Sequence, residues 1–128
     1  MLLLVWACLA NLANSQTTKY NLNDLKLKVA ENQKVPVSNI LFIEVREYGS
    51  VAVVYARLSK DSKDVTFGGE LSSIGPGLPY IKGSITCTGI GCAECDIEGG
   101  FKIEDMYCTC VRRTTEDGRC DMTKSVGF

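Results

Sequence analysis

The stretch ILFIEVREYGSVAVVYARL, residues 40–58, decides the fold of this chain. It consists of two runs rich in β-branched and aromatic residues, separated by Tyr48-Gly49-Ser50. Two such runs on either side of a short glycine-containing turn predict an antiparallel hairpin. Because neither run alternates cleanly between apolar and polar residues, we expect both strands to be central in a sheet and covered on both faces.

The chain continues as strands after this hairpin. Residues 65–71, VTFGGEL, predict a strand with a bend at its two glycines. After a turn rich in glycine and proline, residues 80–87, YIKGSITC, alternate between apolar and polar side chains. A strand with this alternation places Ile81, Ile85 and Cys87 on one face.

One helix is favoured before the hairpin, over residues 22–33, because apolar residues recur there at helical spacing behind an N-cap at Asn21, although Leu25, Leu27 and Val29 also alternate as in a strand. At the other end, a strand over 101–113 is expected to fold back at Asp117-Gly118. The predicted fold class is therefore α+β: one N-terminal helix packed on an antiparallel β meander, with a disulfide-stapled C-terminal β region.

The first fifteen residues, MLLLVWACLANLANS, have the pattern of a secretory signal peptide (residues 1–15). The apolar run is shorter than the ~20 residues of a bilayer span, and Ala13-Asn14-Ser15 predicts cleavage before Gln16. Lys and Arg are absent from this segment, so only the α-amino group is positive. Val5-Trp6-Ala7-Cys8 loosely resembles a bacterial lipobox, and acylation of Cys8 would make the protein lipid-anchored.

Residues 16–128 are expected to form a single small domain. Its 16–86 part is a cysteine-free core half, and its 87–128 part is a cysteine-rich half. The chain has 14 basic and 15 acidic residues, mixed along its length, with a net charge of −1. No concentrated basic face is apparent, so we expect no nucleic acid partner. No transmembrane span is expected in the mature protein either.

Histidine is absent from the sequence. Ser-His-Asp and Cys-His catalysis, His-ligated zinc and c-type haem attachment all need an imidazole, so these chemistries are excluded. The phosphate-binding loops GxxxxGK[ST] and GxGxxG are also absent. The sequence therefore predicts a protein that is not an enzyme and needs no cofactor.

Removal of the signal peptide would leave six of the seven cysteines, an even number suited to an oxidising compartment. We interpret all six as disulfide cysteines, although the spacing alone leaves the pairing open. Two of them lie two residues apart on one strand face, so each is expected to reach a different neighbour. The six are Cys87, Cys92, Cys95, Cys108, Cys110 and Cys120.

Two other chemistries compete for the same thiols. Cys92, Cys95, Cys108 and Cys110 give a CxxC…CxC pattern that could close a tetrahedral zinc site. The Cx4Cx2C spacing from Cys87 to Cys95 is similar to that of plant-type [2Fe-2S] ferredoxins, but no fourth cysteine follows at the expected distance. The Cys92–Cys95 CxxC could act as a redox pair, although its acidic flanks would disfavour the thiolate.

Two sets of carboxylates could serve other sites. Asp96, Glu98, Glu104 and Asp105 could gather around calcium, although a solvated acidic face fits them better because they lack the spacing of a calcium loop. Glu44 lies in the most apolar strand, where it could be a tuned acid. We expect it instead to pair with a cation such as Arg57 or to lie at the sheet margin.

The sequence thus predicts a secreted, extracellular, non-catalytic protein that binds an unknown extracellular protein or matrix partner or has a structural role. A first alternative is a secreted inhibitor or toxin-like effector. It would present a disulfide-rigidified loop, either GGFKIED at 99–105 or the turn at 114–118. A second alternative is a metal-cluster or CxxC redox protein.

Overall fold

A computed structural model of the chain describes residues 20–72 and 80–125, and the predicted signal peptide with Cys8 lies outside them. These residues contain one α-helix, α1, at Leu22–Gln33. Two short 3₁₀ turns are Val37–Asn39 and Ile103–Asp105. The strands are β1 Ile40–Tyr48, β2 Val51–Lys60, β3 Lys63–Leu71, β4 Ile81–Ile90, β5 Cys92–Glu98, β6 Tyr107–Arg113 and β7 Arg119–Ser125.

The predicted helix over 22–33 is confirmed, and its ends follow from capping. The side-chain oxygen of Asn21 accepts hydrogen bonds from the backbone N–H groups of Asn23 and Asp24, at 3.0 and 3.2 Å. This satisfies donors that have no partner within the helix. At the other end Lys34 takes a left-handed conformation with φ 58°, which ends the helix before Pro36.

Five strands form an antiparallel sheet in the order β1-β2-β3-β4-β7. Gly49-Ser50 joins β1 to β2. Gly49 has a positive φ of 65°, whereas the φ of Ser50 is not positive. Glycine at the first position of a two-residue turn is the type II′ arrangement. Asp61-Ser62 joins β2 to β3 with φ 52° and 63°, the type I′ arrangement. Both turns therefore match the twist of their strands.

The sheet is covered on both faces, by α1 on one and by a separate two-stranded hairpin, β5–β6, on the other. β2 supplies core side chains to both layers, since alternate residues of a strand face opposite sides. Val53 and Tyr55 face the β5–β6 hairpin. The residues of β2 that face α1 are Ala52, Val54, Ala56 and Leu58. The fold is therefore α+β, as predicted, with the disulfide-stapled region forming the hairpin layer.

The expectation that both strands of the first hairpin are central is wrong for β1. Among the described strands β1 pairs only with β2, so it lies at an edge of the sheet. Leu41 lies at an irregularity in the pairing and is 66% exposed, and Phe42 is 53% exposed. The strands of the β5–β6 hairpin pack mainly on β3, β4 and β7, and the loop that joins them reaches the end of β1, where Phe101 stacks on Tyr48. Leu41 and Phe42 therefore lie on an open surface, whereas Ile40 and Ile43 are buried in the core on the helix side.

The meander is interrupted after β4, where the chain leaves the sheet at Gly91. Gly91 has φ 63°, and a Cβ there would lie 2.1 Å from the Thr115 hydroxyl oxygen. Its carbonyl accepts a hydrogen bond from the backbone N–H of Thr114, at 2.9 Å. The chain does turn at Asp117-Gly118, but β7 then pairs with β4 and not with β6.

Two local expectations are also corrected. β4 has an extra residue where Glu70 pairs with Gly83 and Leu71 pairs with Ile81. This bulge turns Ile81 towards α1, whereas Ile85 and Cys87 face the β5–β6 hairpin. The strand expected over 101–113 begins only at Tyr107, because the segment before it forms a loop anchored by the buried side chains of Ile103 and Met106.

Candidate binding groove beside a disulfide-bonded hairpin

Three disulfides hold the β5–β6 hairpin in place. Cys87–Cys108 joins β4 to β6, Cys92–Cys110 joins β5 to β6, and Cys95–Cys120 joins β5 to β7, with S–S distances of 2.00, 2.00 and 2.02 Å. The first and third bridges cross between the two layers. The hairpin is therefore covalently attached to the sheet on both of its strands.

The pairing separates the cysteines that the alternative chemistries would need together. Cys92 and Cys95 belong to different bridges, so they are not a CxxC disulfide pair. The four cysteines of the zinc pattern are distributed over all three bridges. In residues 20–72 and 80–125, one group of three potential metal ligands lies within 4.8 Å, the sulfurs of Cys92, Cys110 and Cys120. These sulfurs are close because two disulfides lie side by side, and each is bonded to another sulfur.

The four carboxylates considered for calcium are not gathered into such a group. Asp96 and Glu98 lie on β5, and Glu98 accepts a hydrogen bond from the Thr109 hydroxyl at 2.8 Å. Glu104 and Asp105 lie in the 3₁₀ turn that precedes β6. All four side chains are exposed, as a solvated acidic face requires.

Polar contacts join the outer edge of β5 to the sheet beneath it. The Asp64 carboxylate accepts two hydrogen bonds from Arg57, at 3.1 and 3.3 Å, and one from the backbone N–H of Cys95, at 3.3 Å. The hydroxyl of Thr66 donates to the carbonyl of Cys95 at 2.5 Å. Both backbone groups of Cys95 are therefore bound by β3, which fixes the position of β5.

A groove runs between this fixed strand and the uncovered part of β1 and β2. Its volume is about 340 Å³, in the size range of small-ligand sites. One wall is the β5 edge, and the floor is the sheet face that the hairpin leaves open. The groove is lined by Phe42, Glu44, Arg46, Tyr55, Ala56, Arg57, Thr66, Asp96 and Ile97.

Arg46 and Tyr55 form the centre of the groove. The guanidinium carbon of Arg46 lies 4.5 Å from the centroid of the Tyr55 ring, within cation–π distance. Arg46 Nε also donates to Glu44 Oε1 at 2.8 Å. Burial raises the pKa of Tyr55 well above its ordinary value, and hydrogen bonding to Tyr48 adds to this rise. The site therefore presents an oriented cation above a neutral aromatic ring.

Glu44 lies on the edge strand and pairs with a cation, as expected, but the cation is not Arg57. Glu44 pairs with Arg46, two residues along the same strand. Arg57 pairs instead with Asp64 on β3, and this carboxylate raises the pKa of Arg57 further. Glu44 pairs with Arg46 because their side chains lie on the same face of β1, at the sheet margin.

The two loops considered for an inhibitor lie at different ends of the hairpin. In the 99–105 loop the ring of Phe101 stacks on Tyr48, with 5.6 Å between their centroids. Thr114 to Asp117 are exposed, and the backbone of that turn bonds to Gly91. Both loops are therefore supported by the rest of the molecule while their tips remain accessible.

The sequence reasoning missed most of the groove, including Phe42, Arg46 and Tyr55. One signal was present, because Phe42, Glu44, Arg46 and Tyr48 occupy alternate positions of β1 and so share one face. The other wall could not be located without knowing that β5 leaves the sheet.

No protein-family model, curated protein or solved structure matches this chain. Within residues 20–72 and 80–125, no helix combines the length and the hydropathy that a membrane span requires.

Proposed function

We propose that the protein is a secreted, non-catalytic binding module of the extracellular space, and that the groove between β1 and β5 binds its protein or matrix partner. The observation that carries this proposal is the Arg46–Tyr55 pair, in which the exposed Arg46 lies over the largely buried Tyr55 ring, beside a hairpin that three disulfides attach to the sheet. Arginine, tyrosine and other aromatic residues are enriched among the residues that dominate protein–protein binding energies.

The rigidity of the site supports the same proposal. A binding surface that is already ordered before association loses little conformational entropy on binding. Here the disulfides fix one wall of the groove, and the Arg57–Asp64–Cys95 contacts fix its position over β3. The signal-peptide pattern at residues 1–15 and the three disulfides are both typical of secreted proteins.

The first experiment tests secretion. The full chain is expressed in a eukaryotic secretory host, and the intact mass of the protein in the medium is measured before and after reduction and alkylation. We expect a chain that starts at Gln16 and has six cysteines that alkylate only after reduction. Retention of the protein inside the cell, or six thiols that alkylate without reduction, would contradict the proposal.

The second experiment tests the groove against a panel of matrix proteins and receptor ectodomains by biolayer interferometry. Asp96→Arg reverses an exposed charge in the groove wall, and Glu116→Arg reverses an exposed charge in the distant 114–118 turn. We expect a partner whose binding is lost in Asp96→Arg and kept in Glu116→Arg. A panel without any partner, or a partner that both variants bind equally, would overturn the assignment of the groove.

A second candidate is a secreted inhibitor that presents the 99–105 loop. The exposed Phe101 ring favours it, because this ring lies at the tip of a loop whose two strands are joined to each other and to the sheet by disulfides. Inhibition of extracellular proteases by the wild-type protein, abolished in Phe101→Ala and retained in Asp96→Arg, would favour the inhibitor over the groove.

A further inference from the structure

The outer edge of β1 is an unpaired strand edge in the part of the chain that the structure describes. Pairing in an antiparallel ladder alternates along a strand, so every second residue directs its N–H and C=O groups to each side. Tyr48 and Val51 close a two-residue turn and therefore exchange both backbone hydrogen bonds. It follows that Ile43, Val45 and Glu47 direct their backbone groups outwards.

The side chains along this edge are complementary to themselves in one register. When a second β1 lies antiparallel with Val45 opposite Val45, Glu44 of each copy lies directly opposite Arg46 of the other. The same register sets Phe42 of each copy opposite Tyr48 of the other. Opposite charges and aromatic pairs that face each other across strands both stabilise pairing.

Neighbouring registers lack this complementarity. Outward-facing residues must oppose one another, so each neighbouring register is reached by sliding the second strand by two residues. One shift sets Glu44 opposite Glu44, and the other sets Arg46 opposite Arg46, and like charges in directly opposed positions are destabilising. Charges on an edge strand usually oppose pairing with other chains. Here they select one register of pairing with a second copy.

We propose that β1 is a homodimer interface, in which two copies pair through this strand and form one continuous ten-stranded sheet about a twofold axis at Val45. The pairing sets Phe42, one of the two most exposed apolar residues of β1, against Tyr48 of the other copy. Directly opposed residues of an antiparallel pair point to the same face, so the grooves of the two copies lie side by side on one face of the joined sheet. The outward N–H groups of Ile43 and Val45 gain partners.

The interface extends along nearly the whole of β1, from Phe42 to Tyr48 in each copy. The opposite sheet edge, β7, also carries an Arg–Asp pair at alternate positions, Arg119 and Asp121. A register that opposes these two charges would be centred on Cys120, close to the start of β7, and would align few residues. β7 therefore supplies a matched control edge with the same charge pattern.

The test is the oligomeric state of the full, disulfide-bonded chain, measured by sedimentation velocity over a wide range of concentration. We expect a concentration-dependent monomer–dimer equilibrium. Glu44→Arg places like charges opposite each other at two symmetric positions and should weaken the dimer about tenfold or more. The double variant Glu44→Arg/Arg46→Glu restores opposite charges in the same register, so it should return the dissociation constant to near the wild-type value.

The control variant Arg119→Glu should leave the dimer unchanged, and circular dichroism of each variant reports whether it folds. Hydrogen exchange gives a second measurement, since the amides of Ile43 and Val45 should become more protected as the protein concentration rises. A protein that stays monomeric at every concentration overturns the proposal. So does a dimer that is weakened by Arg119→Glu and not by Glu44→Arg, or one that the double variant does not restore.

Discussion

The carboxylate of Asp64 accepts a hydrogen bond from the backbone N–H of Cys95, with 3.3 Å between Asp64 Oδ2 and Cys95 N, and also binds Arg57. It is therefore a polar link between the sheet and the disulfide-bonded hairpin. The two layers are joined by this contact, by the Thr66 hydroxyl and by two of the three disulfides.

Replacing Asp64 with alanine should lower the free energy of unfolding by about 1–3 kcal/mol, because the substitution leaves a backbone N–H and a guanidinium without their acceptor. The measurement is chemical denaturation followed by circular dichroism. Asp121→Ala is the matched control, because Asp121 pairs with Arg119 on the exposed surface of β7. An exposed pair of this kind contributes below about 1 kcal/mol. Equal losses in both variants would contradict the linking role of Asp64.

Gly91→Ala should be more destabilising than Gly49→Ala. Both glycines have φ near the left-handed region, 63° and 65°, where a Cβ costs roughly 1–2 kcal/mol. A Cβ at Gly49 meets no atom within 4 Å, whereas one at Gly91 would lie 2.1 Å from the Thr115 hydroxyl oxygen. We therefore expect a loss of about 1 kcal/mol at Gly49 and roughly 3 kcal/mol at Gly91 in denaturation experiments.

Similar losses for the two glycine variants would mean that the chain crosses from the sheet to the hairpin without close packing on Thr115. The Thr115→Ala change provides a further check. Combined with Gly91→Ala it removes the hydroxyl oxygen that would clash, so it should recover part of the lost stability.

The sequence allowed the helix and the strand hairpin at 40–58 to be predicted because their signals are local. Asn21 caps the helix within three residues, and the β1–β2 turn is set by Gly49. The edge position of β1 could not be predicted, because it depends on where β5 and β6 lie. That placement depends on the crossing at Gly91 and on the disulfide pairing, which are long-range features.

The groove could not be predicted from the sequence for the same reason. From the sequence we expected Glu44 to pair with a cation such as Arg57 or to lie at the sheet margin, because a single strand pattern does not tell which neighbour a side chain faces. The structure pairs Glu44 with Arg46 and Arg57 with Asp64. The Glu44–Arg46 pair is accessible because it lies on the open side of β1.

Removing the bridge between β5 and β7 should loosen the hairpin more than the helix layer. Cys95→Ala/Cys120→Ala opens a bridge between residues 25 apart in sequence, which corresponds to about 3 kcal/mol of stability. Hydrogen exchange should accelerate in β5 and β6, while the amides of α1 keep more of their protection. Uniform acceleration through all strands would show instead that the two layers unfold as one unit.

Ser62→Gly should stabilise the protein by about 1 kcal/mol, because Ser62 has φ 63° in the β2–β3 turn and glycine adopts this conformation without strain. Ser50→Gly is the matched control in the β1–β2 turn, since Ser50 is not among the residues with positive φ. It should give no gain or a small loss. Thermal unfolding of both variants checks the difference, and an equal gain in both would contradict the turn assignment.

The buried ring of Tyr55 predicts a loss of stability at alkaline pH. Burial raises its pKa in the folded protein above that of a tyrosine in the unfolded chain, which ionises at about pH 10. Folding favours the neutral form of Tyr55. The stability that this preference contributes is complete below about pH 10 and is lost as the pH rises from there towards the pKa of Tyr55 in the folded protein. Denaturation midpoints should fall less steeply above this pH in Tyr55→Phe than in the wild-type protein.

Tyr107→Phe, at an exposed tyrosine of β6, controls for removal of a hydroxyl group and should follow the wild-type curve. The cation–π contact gives the same experiment a second readout, because Arg46 lies over the Tyr55 ring and phenylalanine keeps that ring. Tyr55→Phe should therefore retain partner binding at neutral pH, whereas Tyr55→Leu should weaken it. If Tyr55→Phe lost stability with pH as steeply as the wild type, another group would be responsible for the alkaline transition.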